Sequence, residues 1–165
     1  MGLEQLKKWV YLLSFDKDME NESEDLLKIS LLRATFCSEL MGMAEEMPIT
    51  KSEAYLMGML SAMTLMVDAP MEEILQNVPL DEIIRDALIL RKGRCGLLLE
   101  LVFSYERAEW ESINKYVKEL GIPANAIAQV YFDCVENVNE LWRELQEVRF
   151  QEEDLDDEKL KNTLT

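Results

Sequence analysis

Residues 54–67 read Ala54-Tyr55-Leu56-Met57-Gly58-Met59-Leu60-Ser61-Ala62-Met63-Thr64-Leu65-Met66-Val67, fourteen positions without one charge. Just ahead of them, Thr50 and Glu53 stand at capping-box spacing, so the stretch opens as a helix. A helix apolar all round is enclosed by protein. At about 1.5 Å per residue it reaches only about 21 Å, short of a bilayer's hydrocarbon core. The stretch therefore predicts the central helix of a globular helical domain. Gly58 costs about 1 kcal/mol of helix propensity there, which predicts close packing against a neighbour.

Helical periodicity continues on both sides. Upstream, Leu3, Leu6, Val10 and Leu13 form one stripe, and an acidic loop is expected from Asp16 to Asp25. A long helix then places Ile29, Leu32, Phe36, Leu40, Met43 and Met47 on one face until Pro48 ends it. Downstream, Pro70 and Pro79 each precede carboxylates and an apolar run, which marks two helix starts, the second helix reaching Leu90. Arg91 to Gly96 reads as a loop, Leu97 to Tyr105 as a buried helix, and Glu109 to Leu120 as a helix closed by Gly121. Pro123 opens a last helix carrying Ile127, Val130, Tyr131, Cys134, Val135, Val138, Leu141, Trp142 and Leu145 on one face. The expectation is an all-α bundle of seven or eight helices in one domain over residues 1–149, followed by a mobile acidic tail over 150–165.

Composition removes most catalytic plans. The 165 residues include no histidine, which excludes Ser-His-Asp and Cys-His nucleophile systems, His-ligated zinc and Glu-x-x-His di-iron sites. With 17 Lys and Arg against 33 Asp and Glu, the formal charge of −16 opposes nucleic acid and anionic membrane as partners. Three widely spaced cysteines, Cys37, Cys95 and Cys134, each within an apolar stretch, read as buried thiols in a reducing compartment. The Met1–Gln5 start has no basic flank and no signal-peptide core. These features predict a cytoplasmic protein.

Few residues offer chemistry. Glu82 with Asp86, and Glu136 with Glu140, lie four apart on helix faces, but on polar faces where carboxylates stay solvated. Arg91, Lys92 and Arg94, between two glycines and a helix start, form the one dense basic cluster, an anion or partner contact if the guanidiniums are free and a solvated interhelical loop otherwise. Eight of the ten methionines fall between Met41 and Met71 and read mainly as core filling, with Met41, Met47 and Met71 able to reach a groove. Trp110 and Trp142 read as packing anchors.

Four segments in order carry a resemblance: Leu6-Lys7-Lys8-Trp9-Val10-Tyr11-Leu12-Leu13, Glu53-Ala54-Tyr55-Leu56-Met57-Gly58-Met59-Leu60-Ser61, Pro70-Met71-Glu72-Glu73-Ile74-Leu75 with Pro79-Leu80, and Tyr105-Glu106-Arg107-Ala108-Glu109-Trp110-Glu111. From about Leu3 to Trp142 the chain resembles HDOD domains, most of all those that follow an EAL cyclic di-GMP phosphodiesterase domain in bacterial signalling proteins. The resemblance implies an HD-domain-like helical bundle. It also sets Ser61 and Ala62 at the two positions where HD phosphohydrolases hold their His-Asp metal dyad; neither side chain can bind a divalent metal. By the same resemblance the chain is a non-catalytic module with no catalytic residue, metal or cofactor. It would act through a protein partner, either an EAL domain or a second copy of itself. The front helices of the HDOD pattern are missing, so the chain is expected to be the C-terminal portion of such a domain.

Two other classes stay open. Tyr105 to Val135 has the rhythm of a tetratricopeptide-like adaptor, though no second copy occurs at a fixed period. A carboxylate-only enzyme is the third, with abundant acids and no constellation to carry it.

Overall fold

The computed structural model describes the backbone of residues 20–144 and the side chains of residues 24–144. Every regular element among them is a helix: α1 (Glu20–Met43), α2 (Lys51–Leu60), α3 (Met63–Met66), α4 (Met71–Ile74), α5 (Glu82–Leu90), α6 (Gly93–Glu106), α7 (Trp110–Leu120) and α8 (residues 127–144). The all-α expectation is met. The Leu3–Leu13 stripe, Leu145 and the tail over 150–165 lie outside the described residues.

The charge-free stretch is two elements, not one continuous helix. At its start the capping box forms: the Thr50 hydroxyl accepts from Glu53 N–H, and the Glu53 carboxylate accepts from Thr50 N–H at 2.7 Å. At its middle α2 stops. A continuing helix would give the Ser61 carbonyl to Leu65 N–H, but that carbonyl accepts from the Arg33 guanidinium at 3.1 Å, and Leu65 N–H turns to Ala62 O instead. The Ser61 hydroxyl donates back to Gly58 O at 2.6 Å, the local competition that loosens helix ends. Beyond the break the enclosure also ends: Leu65 and Val67 are exposed.

The central helix is α6. Seven of its fourteen residues (Cys95, Gly96, Leu98, Leu99, Leu101, Val102 and Ser104) are buried, with α5 and α7 on its sides and α1 across it. The shared core runs from Phe36, Cys37 and Leu40 of α1 through Met57 and Leu75 to Leu88, Leu98, Leu101 and Leu120. A smaller cluster of Leu31, Ala34, Met59 and Val138 joins α8 to the outer side of α1 and α2. The face expected of α8 is the face it buries, with Ile127, Cys134 and Val138 innermost.

The α1–α2 contact is the most extensive among α1 to α7. Gly58 makes it possible: a Cβ there would stand 2.5 Å from Arg33 O and 2.8 Å from Ala34 Cα. The close approach expected of this glycine is backbone against backbone.

Several boundaries differ from expectation. Residues 20–25, expected within the acidic loop, belong to α1. The C-terminal end of α1 comes at Met43, ahead of Met47 and Pro48, because Glu45 N–H donates to Leu120 O at 2.9 Å and Glu46 turns left-handed with φ 48°. Ile29 is 37% exposed, and Leu31 takes its place inside. The expected Arg91–Gly96 loop shrinks to two residues: Arg91 closes α5 in the left-handed region, Lys92 is extended, and α6 begins at Gly93. Gly96, in the first turn of α6, presses on the Arg91 backbone, where any side chain would collide.

Candidate functional site

The place to look is the end of α2, where Ser61 and Ala62 lie. Both are buried, Ala62 completely. The hydroxyl of Ser61 is spent on Gly58 O, and its carbonyl on Arg33. Both Ser61 groups are thus engaged within the fold.

Arg33 organises what surrounds it. Its guanidinium grips Glu106 through two parallel bonds of 2.8 Å, with side-chain exposures of 12% and 28%. That fork-on-fork geometry is the stronger form of a charge-assisted pair. The same guanidinium lies 4.8 Å from the centre of the Phe103 ring, and Arg91 lies 4.9 Å from it. Arg91 in turn pairs with Glu100 at 3.5 Å. Burial lowers the Arg91 pKa, with Glu100 opposing and Arg33 reinforcing the shift. One phenyl ring thus gathers two guanidiniums, each with its own carboxylate, and the charges cancel locally.

The basic cluster expected at 91–94 divides among different surroundings. Arg91 donates to Ala87 O at 3.0 Å and to Leu88 O, the last carbonyls of α5. Arg94 reaches the other way, to Glu45 O at 2.6 and 3.1 Å and to Glu119 O and Leu120 O at 3.3 and 3.4 Å. Lys92 is exposed between them. Both arginines therefore cap helix ends, a use of cations near C-terminal carbonyls that the dipole favours.

Among the described residues no group of three His, Cys, Asp or Glu is placed to hold a metal ion. Glu82, Glu136 and Glu140 are exposed and Asp86 half-buried. All three cysteines are buried free thiols; burial pushes Cys37 well above the ordinary thiol range, Cys95 up to about 11 and Cys134 up to about 12. Met41 and Met71, expected to reach a groove, are buried, and Met47 is half-buried against the core. No described helix is long and apolar enough to cross a membrane.

Two features escape sequence reasoning. The Arg33–Phe103–Arg91 arrangement joins residues as much as about seventy positions apart and leaves no local signal. Trp110 is a correction: expected as a packing anchor, it is 63% exposed at the start of α7. Trp142 is half-buried, with Lys28 Nζ 4.9 Å from its ring centre.

No family model matches the chain, and no solved structure matches it. Two curated proteins do. The chain is 29% identical over 129 residues to cyclic di-GMP phosphodiesterase CdgJ of Vibrio cholerae, a match covering 78% of this chain and 30% of that protein. It is 32% identical over 124 residues to uncharacterized protein YuxH of Bacillus subtilis, covering 73% of this chain and 30% of that one. The chain spans less than a third of the length of these relatives, and its likeness to them covers about three quarters of its own residues.

Proposed function

We propose that this chain is a non-catalytic, HDOD-like regulatory module that works in cyclic di-GMP signalling by binding a protein partner, an EAL phosphodiesterase domain above all. The signalling context is supported by the match to a protein named as a cyclic di-GMP phosphodiesterase. The non-catalytic role draws its support from the end of α2. There Ser61 and Ala62 are buried, the serine is satisfied by its own helix, and the adjoining charge, Arg33, is a cation already paired with Glu106. The alanine methyl offers no atom to a metal, and Glu82, Glu136 and Glu140 lie exposed on helix faces and not in an enclosed site.

The test is a pair of assays on the purified chain. Supplied with manganese or magnesium, it is expected to release no product from cyclic di-GMP or a phosphomonoester; titrated with an isolated EAL domain, it is expected to bind saturably. Steady turnover by this chain would overturn the non-catalytic reading. Absence of binding to any EAL domain would remove the proposed partner.

A further inference from the structure

Trp110 on α7 and Phe132 on α8 are left 63% and 64% exposed, the most of any large hydrophobic side chains among the described residues. They are not isolated. Trp110 meets Tyr105 edge-on at 6.3 Å, Tyr105 lies 4.8 Å from Tyr131, and Tyr131 meets Phe132 at 6.4 Å. Beneath them the buried Phe36 ring touches both tyrosines edge-on, at 5.4 and 5.3 Å. The four rings form one ledge anchored on the core. Rings fixed this way offer large apolar area with little conformational entropy left to lose, the usual character of binding hot spots.

The margin of the ledge is negative. Glu106 sits near enough to Tyr131 to add to the effect of burial in raising that hydroxyl's pKa, although Arg33 shares its charge. Glu109 is likewise shared with Arg107 at 2.6 Å. Glu111 and Asp133, both exposed, follow Trp110 and Phe132 directly in the chain, Asp133 accepting from Gln129 Nε2 at 2.7 Å, and the exposed Glu136 lies one turn beyond Phe132 on its side of α8. These last three form no ion pair among the described residues. On a chain of formal charge −16, a second copy would bring like charges to this face, and a nucleic acid would be repelled. A cationic segment would be drawn to it, and ring faces beside carboxylates add a cation–π attraction.

We propose that the Trp110–Tyr105–Tyr131–Phe132 ledge is the docking face for a basic amphipathic segment of a partner protein. The segment lays its apolar side chains on the rings and sets Arg or Lys between the rings and the carboxylates of Glu111, Asp133 and Glu136. This rests on the reading of the chain as an interaction module and names the surface it uses.

The test is calorimetric titration of the full chain with a short amphipathic peptide of leucine and arginine, beside one of leucine and glutamate of equal length. The first binds and the second does not. Replacing Trp110→Ala with Phe132→Ser weakens binding at least about tenfold, the scale of losing a hot-spot aromatic pair, and Trp110→Phe with Phe132→Tyr restores most of it. Asp133→Asn with Glu136→Gln weakens binding and flattens its salt dependence, whereas Glu72→Gln with Glu73→Gln, an equal charge change at two exposed positions of α4, leaves it nearly unchanged. The proposal is overturned if the Trp110/Phe132 variant binds like the parent, if the α4 control loses as much, or if the acidic peptide binds equally well. Sedimentation showing a dimer that the ledge variant dissolves would assign the face to a second copy and likewise overturn it. None of these failures bears on the turnover assay, so the wider reading stands or falls separately.

Discussion

Gly58→Ala sets two effects of known size against each other. Alanine gains about 1 kcal/mol of helix propensity over glycine in α2. Against that gain, the new methyl would stand 2.5 Å from Arg33 O, 2.8 Å from Arg33 C and 2.8 Å from Ala34 Cα. All three are backbone atoms of a 24-residue helix, so no rotamer change relieves them; α1 must move off α2. Overpacking of this kind costs about 1–3 kcal/mol. Separation would also stretch the Ser30 hydroxyl to Met59 O bond, now 3.3 Å, and the Arg33 to Ser61 O bond, at about 1 kcal/mol each. The steric side wins, with a net loss of about 2–4 kcal/mol, or roughly 4–16 °C in Tm for a chain this size. A circular-dichroism melt paired with a urea titration reads it. A Tm equal to or above that of the parent would refute the reasoning, because propensity would then have prevailed and the two backbones could not be in contact.

Further perturbations probe the other contacts. Glu106→Gln strips the carboxylate from Arg33, which is 12% exposed, and is expected to cost about 2 kcal/mol in urea unfolding. A double-mutant cycle with Arg33→Met should then return a coupling of about 1–2 kcal/mol, and no coupling would mean the pair is screened by solvent. The Thr50 N–H and hydroxyl hold the Glu53 carboxyl below its ordinary value of 4.5, so its contribution is present above that pH and is lost as pH falls through the lowered value. Glu53→Gln should therefore be less stable than the parent near neutrality and converge with it in acid; a constant gap across the range contradicts the capping box. With Cys95 held near 11 and Cys134 near 12, and Cys37 higher still, a disulfide exchange reagent at mildly alkaline pH should label none of the three thiols until denaturant is added. Rapid labelling of the folded chain would show that the core opens.

Local rules decide the parts of the fold that are legible in the sequence. Thr50 and Glu53 form the cap their spacing promises, Gly121 closes α7 with φ 71°, and the α8 period matches its buried face because amphipathic contrast there is strong. The illegible parts depend on distant partners. The break after Leu60 arises because Arg33, 28 residues from Ser61, takes the carbonyl that would have continued the helix. Within the charge-free run the Ser61 hydroxyl is a weak local sign of that end, and the partner that completes it lies far away in sequence. Arg91 closes α5 in a left-handed turn that usually signals glycine, so the sequence pattern overstates the length of the loop after it. Trp110 stands three residues before the buried Ile113, as a packing anchor would, yet it occupies the exposed first position of α7. The site residues divide similarly. Ser61 and Ala62 are buried and satisfied, while the basic triplet is a cluster only along the chain, its arginines drawn to carbonyls on opposite sides.

The closed turn at the end of α2, with Arg33 paired to Glu106 beside it, supports the non-catalytic reading. Crystals of the chain soaked in manganese and recorded for anomalous scattering probe that turn directly. The expected result is no anomalous peak beside Ser61, with Arg33 still forked onto Glu106. An ordered ion coordinated there, with the guanidinium displaced, would contradict it.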